Sequence, residues 1–229
     1  MAASNNKLDE AIRRLSRNDA TLSTLDLRFT YVGAAGAGLL AEALAINYTL
    51  TTLSLLSNDV GDEGARRLAE ALVTNSTLIT LNLKKNSVGD EGAGRLAEAL
   101  TVNSTLTTLS LESSSVKDEG AGRLAGALAV NSSLTTLDLY DSQVGDEGAV
   151  QLIEVLAFNS SLTEARLYCD MKTRHLVDTH LERNKANLEK KSASLFLLPS
   201  LSLDDDELSK LATLPRDVSM AVVDESQFS

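Results

Sequence analysis

Cysteine, proline and aromatic residues are scarce in this chain of 229 residues, and each scarcity removes an option. The single cysteine, Cys169, leaves no partner for an internal disulfide and points to a reducing compartment, the cytoplasm. Tryptophan is absent and aromatic residues make up 3% of the chain, so the core has to be aliphatic. Leu, Ala and Val tile well when identical layers are stacked. Both prolines, Pro199 and Pro215, sit near the C-terminal end, where each closes a short segment. No run of about 18 apolar residues occurs, as a membrane-spanning helix would need. Met1 to Lys7 holds no apolar stretch of the kind a secretory leader has. The expectation is a soluble chain that is not exported by that route. Positive charge is also short: 21 Lys and Arg against 32 Asp and Glu give a formal net charge of -11. Such a surface repels phosphate, so no nucleic acid and no membrane is expected as partner, while a basic protein surface is compatible.

What the chain has in abundance is leucine at fixed intervals. Six segments begin at Leu22, Leu50, Leu78, Leu106, Leu134 and Leu162, each 28 residues after the last. Within one unit Leu50, Leu53 and Leu55 alternate as a strand does, and Asn58, Val60 and Gly61 punctuate the turn. Ala65, Leu68, Ala69 and Leu72 then follow at helical spacing. A lone unit cannot bury both apolar faces, so neighbours must stack, strand beside parallel strand, through right-handed crossovers. Helices need more room than strands, which puts the sheet on the concave side and the helices on the convex side.

The punctuation repeats too. Gly61, Gly89 and Gly145 fall where the chain leaves the strand, and Gly64, Gly92, Gly120 and Gly148 fall at helix starts, with Lys117 the one departure. The pairs Asp62-Glu63, Asp90-Glu91, Asp118-Glu119 and Asp146-Glu147 occupy first helical turns, where they are expected to complement the dipole of their own helix. Asn47, Asn75, Asn103, Asn131 and Asn159 each match a glycosylation sequon, but their recurrence near helix C-termini reads as capping in the left-handed conformation. Gly33, Gly36 and Gly38 imitate a phosphate-binding glycine loop, yet Gly33 and Gly36 coincide with Gly61 and Gly64 of the next unit.

A repeat stack needs closed ends. Leu8, Ala11, Ile12 and Leu15 form an apolar stripe, so residues 1–21 read as an N-terminal capping helix, followed by repeats over 22–169. Residues 170–199 read as a C-terminal capping helix carrying Leu176, Val177, Leu181 and Leu188, with Leu195 to Leu198 as a last apolar run. Residues 200–229 form an acidic tail, helical through Leu208, Leu211 and Leu214 or loose.

The unit running from Leu78, Leu81 and Leu83 through Asn86, Val88 and Gly89 to Gly92 and Ala93 closely resembles the leucine-rich repeats of the ribonuclease-inhibitor class. That class also includes the sensor domains of NOD-like receptors and the Ran GTPase-activating protein. The resemblance covers about residues 8 to 190 and implies an α/β fold, a leucine-rich-repeat solenoid shaped as a right-handed βα horseshoe. The stretch from His180 through Asn184 and Leu188 to Leu195 looks like the terminal helix of leucine-rich-repeat effectors from intracellular bacteria that infect amoebae. Their type IV secretion signals are C-terminal, polar and acidic, and Asp204 to Glu207 and Val222 to Ser229 are compatible with one. The resemblance thus implies a cytoplasmic protein translocated into a host cell.

Catalytic chemistry finds little support. Cys169 with His175 and His180 offers a thiol and bases but no orienting signature, and histidines five apart share a helical face poorly. No catalytic residue, metal ligand or cofactor is expected. The positions between and after the strand leucines point away from the core and vary while the leucines do not. They read Asp26, Ser54, Asn82, Ser110, Asp138, Arg166, then Arg28, Leu56, Lys84, Glu112, Tyr140, Tyr168, with Phe29, Ser57, Lys85, Ser113, Asp141 and Cys169 alongside. Arg28, Lys84 and Lys85 make one half basic, and Glu112, Asp138 and Asp141 make the other acidic. The expected function is therefore a non-enzymatic module, a monomer, binding a protein partner on the concave face. Its candidate contacts are Arg28, Phe29, Leu56, Lys84, Lys85, Glu112, Asp138, Tyr140, Asp141, Arg166 and Tyr168. The alternative is a regulator of a small GTPase, or an enzyme, using a polar cluster near Cys169.

Overall fold

The computed structural model describes residues 2–167 and 171–196, with side chains described over 6–167 and 175–190. Tyr168, Cys169 and residues 197–229, including Pro199, Pro215 and the acidic tail, lie outside the described residues. The chain divides into two compact units, Met1–Leu188 and Glu189–Ser229, and the first holds every coil.

A leading helix, α1 (Ala2–Ser16), precedes six strands that alternate with helices. The order is β1 (Thr24–Asp26), α2 (Gly33–Ala45), β2 (Thr52–Ser54), α3 (Gly61–Thr74), β3 (Thr80–Asn82) and α4 (Asp90–Leu100). β4 (Thr108–Ser110), α5 (Asp118–Leu128), β5 (Thr136–Leu139), α6 (Asp146–Leu156), β6 (Glu164–Leu167) and α7 (Met171–Phe196) complete it. The strands form one parallel sheet in sequence order, and every pairing joins residues one repeat apart, as Leu25 with Leu53 and Leu53 with Leu81. This is the α/β leucine-rich-repeat solenoid. Strands sit about 4.8 Å apart while packed helices need about 8–10 Å, so the array curves with the sheet inside.

The core is a set of aliphatic columns. Leu53, Leu81 and Leu109 in mid-strand, Leu55, Leu83 and Leu111 after it, and Leu68, Leu96 and Leu124 on the helices are all buried. Each such leucine contributes roughly 1.5–3 kcal/mol on leaving water. The described aromatic side chains, Phe29, Tyr31, Tyr48, Tyr140 and Phe158, are all exposed. Aliphatic layers repeat without them, which leaves every described ring on the surface.

Asparagine supplies the polar counterpart of these columns. Asn75, Asn103, Asn131 and Asn159 are buried, and each Nδ2 donates to two carbonyls of the preceding coil, as Asn103 does to Leu72 at 2.8 Å and Asn75 at 3.0 Å. Each Oδ1 accepts the amides two and three residues on, as Asn103 does from Thr105 at 3.0 Å and Leu106 at 2.8 Å. The expected left-handed cap is therefore corrected. Asn75 is extended, with φ -74° and ψ 127°, and none of the five asparagines has a positive φ. The carboxamide bonds the coil behind it, and that geometry requires an extended backbone.

A second ladder lies at the other end of the strands. Asn58 Nδ2 donates to Leu27 and Leu55 carbonyls, and its Oδ1 accepts the amides of Thr30 and Val32. Asn86 Oδ1 repeats the pattern on Asn58 and Val60. Serine then takes over: Ser142 Oγ still reaches the Leu111 carbonyl at 3.1 Å, while the buried Ser114 Oγ has no hydrogen-bond partner.

The aspartates of the helix starts also act between coils. Asp62 Oδ1 accepts the amides of Gly89 at 2.7 Å and Gly92 at 2.9 Å, one coil further on. Asp90 does the same for Lys117 and Gly120, and Asp118 for Gly145 and Gly148. The expectation that each acid caps its own helix is corrected in part: Asp62, Asp90 and Asp118 hold the free amides at the start of the next one. A Cβ on Gly92 would lie 2.7 Å from Asp62 Oδ1, which explains the glycine. Where the preceding coil carries Ala34 instead of Asp, Gly61 turns to φ +61° and its amide bonds the Asn86 carbonyl instead. Lys117, at φ -112°, occupies backbone open to any residue, so its departure from glycine carries no strain.

Both ends of the stack are covered. Ala11 and Leu15 of α1 are buried, and Asn47 Nδ2 donates to the Leu15 carbonyl. In α7, Val177 and Leu181 are buried. Asn184, also buried, donates to the carbonyls of Asn159 and Leu162, continuing the first ladder from a helix. Arg183 donates to the carbonyls of Leu156, Ala157 and Asn159, satisfying the open end of α6.

Candidate functional site

The outer face of the sheet is built by the strands' alternation: with mid-strand leucines turned inward, the residues on either side turn out. Three rungs shape the exit from the strand. Asp26, Asn82 and Asp138 each use Oδ1 to accept the amide two residues on, from Arg28, Lys84 and Tyr140. The next residue in each coil, Phe29, Ser57, Lys85, Ser113 or Asp141, adopts a left-handed backbone with φ between 53° and 56°. No glycine occupies that column, so the coil geometry imposes a conformation that bulky residues resist.

The structure brings five of the candidate residues together. Lys84 Nζ lies 2.5 Å from Glu112 Oε1, and Arg166 NH1 lies 3.0 Å from Asp138 Oδ2 and 4.0 Å from Glu112 Oε2. The Arg166 guanidinium stands 5.4 Å from the centroid of the Tyr140 ring. The two carboxylates are the sunken members: the side chains of Glu112 and Asp138 are 14% and 11% exposed, against 49% for Arg166. Burial pushes the Asp138 carboxyl up; the Tyr140 amide and the Arg166 charge oppose this, and neighbouring Glu112 adds to it.

The remaining candidates stand apart from this cluster. Arg28 pairs with Asp26 at 2.7 Å on the rim, its hydrogen bonds holding the Asp26 carboxyl below its ordinary value. Water and salt screen an exposed pair of this kind, so it adds little to stability. Phe29 is exposed, Leu56 half-buried, Lys85 exposed, and Asp141 accepts a 3.0 Å bond from Ser113 Oγ. The expected division into a basic half and an acidic half is corrected. Lys84 neutralises Glu112 and Arg166 neutralises Asp138 across coils 28 residues apart, so charges of opposite sign interleave. Tyr168 lies outside the described residues. Sequence reasoning missed Tyr31, which is 81% exposed with φ 54° where the two following coils carry Asp59 and Ser87. The available signal was an aromatic residue at a turn position otherwise filled by small polar ones.

On the helix side, a groove of about 450 Å³ runs between α3 and α4 over Ala69 and Ala99. Its walls carry the ion-paired Arg66–Glu70 and Arg95–Glu98. His175 and His180 lie on α7. Among the described residues no group of three or more His, Cys, Asp or Glu is placed to hold a metal ion, and no helix is long and apolar enough to cross a membrane.

Four segments, residues 47–69, 74–97, 102–125 and 130–152, match the model of the Leucine Rich repeat family. The fold is similar to that of leiomodin-1 Actin-Binding Site 2, at 19% identity and a TM-score of 0.55 over 81% of this chain and 94% of that one. It is likewise similar to the tropomodulin C-terminal domain of Caenorhabditis elegans, at 20% identity and a TM-score of 0.56 over 82% of this chain and 98% of that one. At such identities the likeness is one of fold. No curated protein matches in sequence. The chain carries leucine-rich repeats, a scaffold typical of protein–protein interaction, whose curved array offers an extended surface to a partner.

Proposed function

We propose that this chain is a non-enzymatic recognition module that binds one protein partner on the outer face of its sheet. The observation that carries the reading is the cluster of Lys84, Glu112, Asp138, Tyr140 and Arg166. Its members differ from coil to coil, sit on a scaffold that otherwise repeats, and combine an aromatic ring with an Arg, the residue types most used as binding anchors. A surface already fixed by its coils loses little conformational entropy on association. Arg28, Phe29, Leu56, Lys85, Asp141 and Tyr168 complete the proposed contact area.

The test is capture with the contact mapped. Protein carrying a photo-crosslinker beside Tyr140, and its Tyr140→Ala and Tyr168→Ala variants, would be exposed to candidate lysates and to purified actin. Actin is included because the similar leiomodin-1 domain is named for binding it. Weaker capture by the variants at unchanged thermal stability supports the sheet face; crosslinks confined to the helices refute it.

The finer parts of the reading are a monomeric protein of the ribonuclease-inhibitor-like subclass that acts as a bacterial effector in the host cytosol. They rest on the repeat pattern and on the acidic composition of residues 200–229. Loss of translocation when residues 200–229 are deleted supports them, and unchanged translocation removes the tail from the account.

A further inference from the structure

The charge cluster on the sheet narrows the chemistry of the partner. Building on the reading of the sheet face as the binding surface, we propose that the partner presents a basic segment. One of its Arg or Lys side chains docks on the Glu112 and Asp138 carboxylates beside the Tyr140 ring, in the place that Arg166 takes in the free protein.

Three features lead there. First, the carboxylates are the fixed part of the cluster. Asp138 Oδ1 is tied to the Tyr140 amide at 3.0 Å and Glu112 Oε1 to Lys84 Nζ at 2.5 Å, and both side chains are largely buried. Charge-assisted bonds to carboxylates so withdrawn from water are stronger than those at an open surface. Second, the cation that covers them is loosely held. Arg166 is half exposed, makes one close contact at 3.0 Å with Asp138, and stands 4.0 Å from Glu112. Lys84 occupies Glu112 Oε1, but Arg166, the cation over the second oxygens of both carboxylates, reaches only Asp138 well, and burial leaves the Asp138 carboxyl raised in spite of it. An incoming cation placed between both carboxylates satisfies them better, while Arg166 swings out to water at little cost on its flexible stem. Third, the Tyr140 ring already faces a guanidinium at 5.4 Å, so the site has the geometry of a cation–π contact. The whole chain, at a net charge of -11, draws a basic segment toward it at long range.

The experiment uses the full chain and three fluorescein-labelled nonapeptides with Arg, Lys or Glu at alternate positions in a Gly/Ser background, read by anisotropy at physiological salt. The Arg and Lys peptides are expected to bind and the Glu peptide to stay free. Glu112→Gln keeps an acceptor for Lys84 Nζ, and Asp138→Asn keeps one for the Tyr140 amide while giving up the bond from Arg166; both are expected to weaken binding tenfold or more. Arg166→Ala, which uncovers the carboxylates, is expected to strengthen it several-fold. Arg123→Ala changes net charge equally but lies on α5, paired with Glu119, and should alter affinity less than twofold because salt screens that distance. Equal binding of the Glu peptide, indifference to Glu112→Gln and Asp138→Asn, or weaker binding in Arg166→Ala overturns the proposal. If a natural partner crosslinks beside Tyr140 while the basic peptides fail to bind, this inference alone falls. Crosslinks mapping to the helices bring down the broader reading instead.

Discussion

Asn103→Ala removes a buried carboxamide that serves four backbone groups at once: the carbonyls of Leu72 and Asn75, and the amides of Thr105 and Leu106. At about 1 kcal/mol net per hydrogen bond the loss is roughly 4 kcal/mol. Asn103 is 5% exposed, so water cannot readily take over the orphaned groups. Set against a stability on the order of 5–15 kcal/mol, this is a large fraction of the whole. Urea denaturation followed by circular dichroism reads it as a lower midpoint. A change in the slope would show that the array has begun to unfold in parts rather than together. Asn103→Gly decides between two explanations of the residue. A left-handed cap would make Gly neutral or stabilising, whereas a ladder in extended backbone makes it at least as damaging as Ala. A loss below about 1 kcal/mol for Ala, or a Gly variant more stable than the Ala variant, refutes the ladder as an energetic element.

Ser114→Asn should raise stability by roughly 0.5–1.5 kcal/mol in the same assay, since it restores the ladder at the one place among the described residues where a buried hydroxyl has no partner. Gly120→Ala should lower it by about 1–3 kcal/mol, because the new Cβ meets Asp90 Oδ1 at 2.6 Å and the Asp90 backbone at 3.1 Å. Phe29→Asn should gain about 1 kcal/mol, as Asn tolerates the φ of 56° that Phe resists, while weakening partner capture. Hydrogen bonds from Thr21, then from Arg14, hold the Asp19 carboxyl down at about 2. Its folded value lies below the unfolded 3.8, so its stabilisation is present above about pH 4 and fades as pH falls toward 2. Asp19→Ala should make the denaturation midpoint less sensitive to acid over that interval.

Much of the fold is legible because burial in a solenoid is periodic. Leu53, Leu81 and Leu109 recur at the repeat length, and the sheet pairs them in that register. The candidate face was legible for the same reason, since alternation alone turns Lys84, Glu112, Asp138, Tyr140 and Arg166 outward. What those residues do to one another was not. Lys84 and Glu112, or Asp138 and Arg166, become neighbours only when successive strands align, and sequence separation conceals that proximity. Polar residues mislead in a consistent way: sequence spacing points the asparagines and aspartates to the nearest helix end, whereas the carbonyls that Asn103 bonds and the amides that Asp62 holds lie one coil away.

The sequence by itself determined the repeat length, the strand–helix alternation, the aliphatic core and the outward columns, because hydrophobic burial depends on local spacing. Only the tertiary structure decided the partners of Asn103, Asp62, Asp138 and Glu112, because hydrogen bonds and ion pairs are short-ranged and directional. Stacking alone brings residues 28 apart within reach of one another.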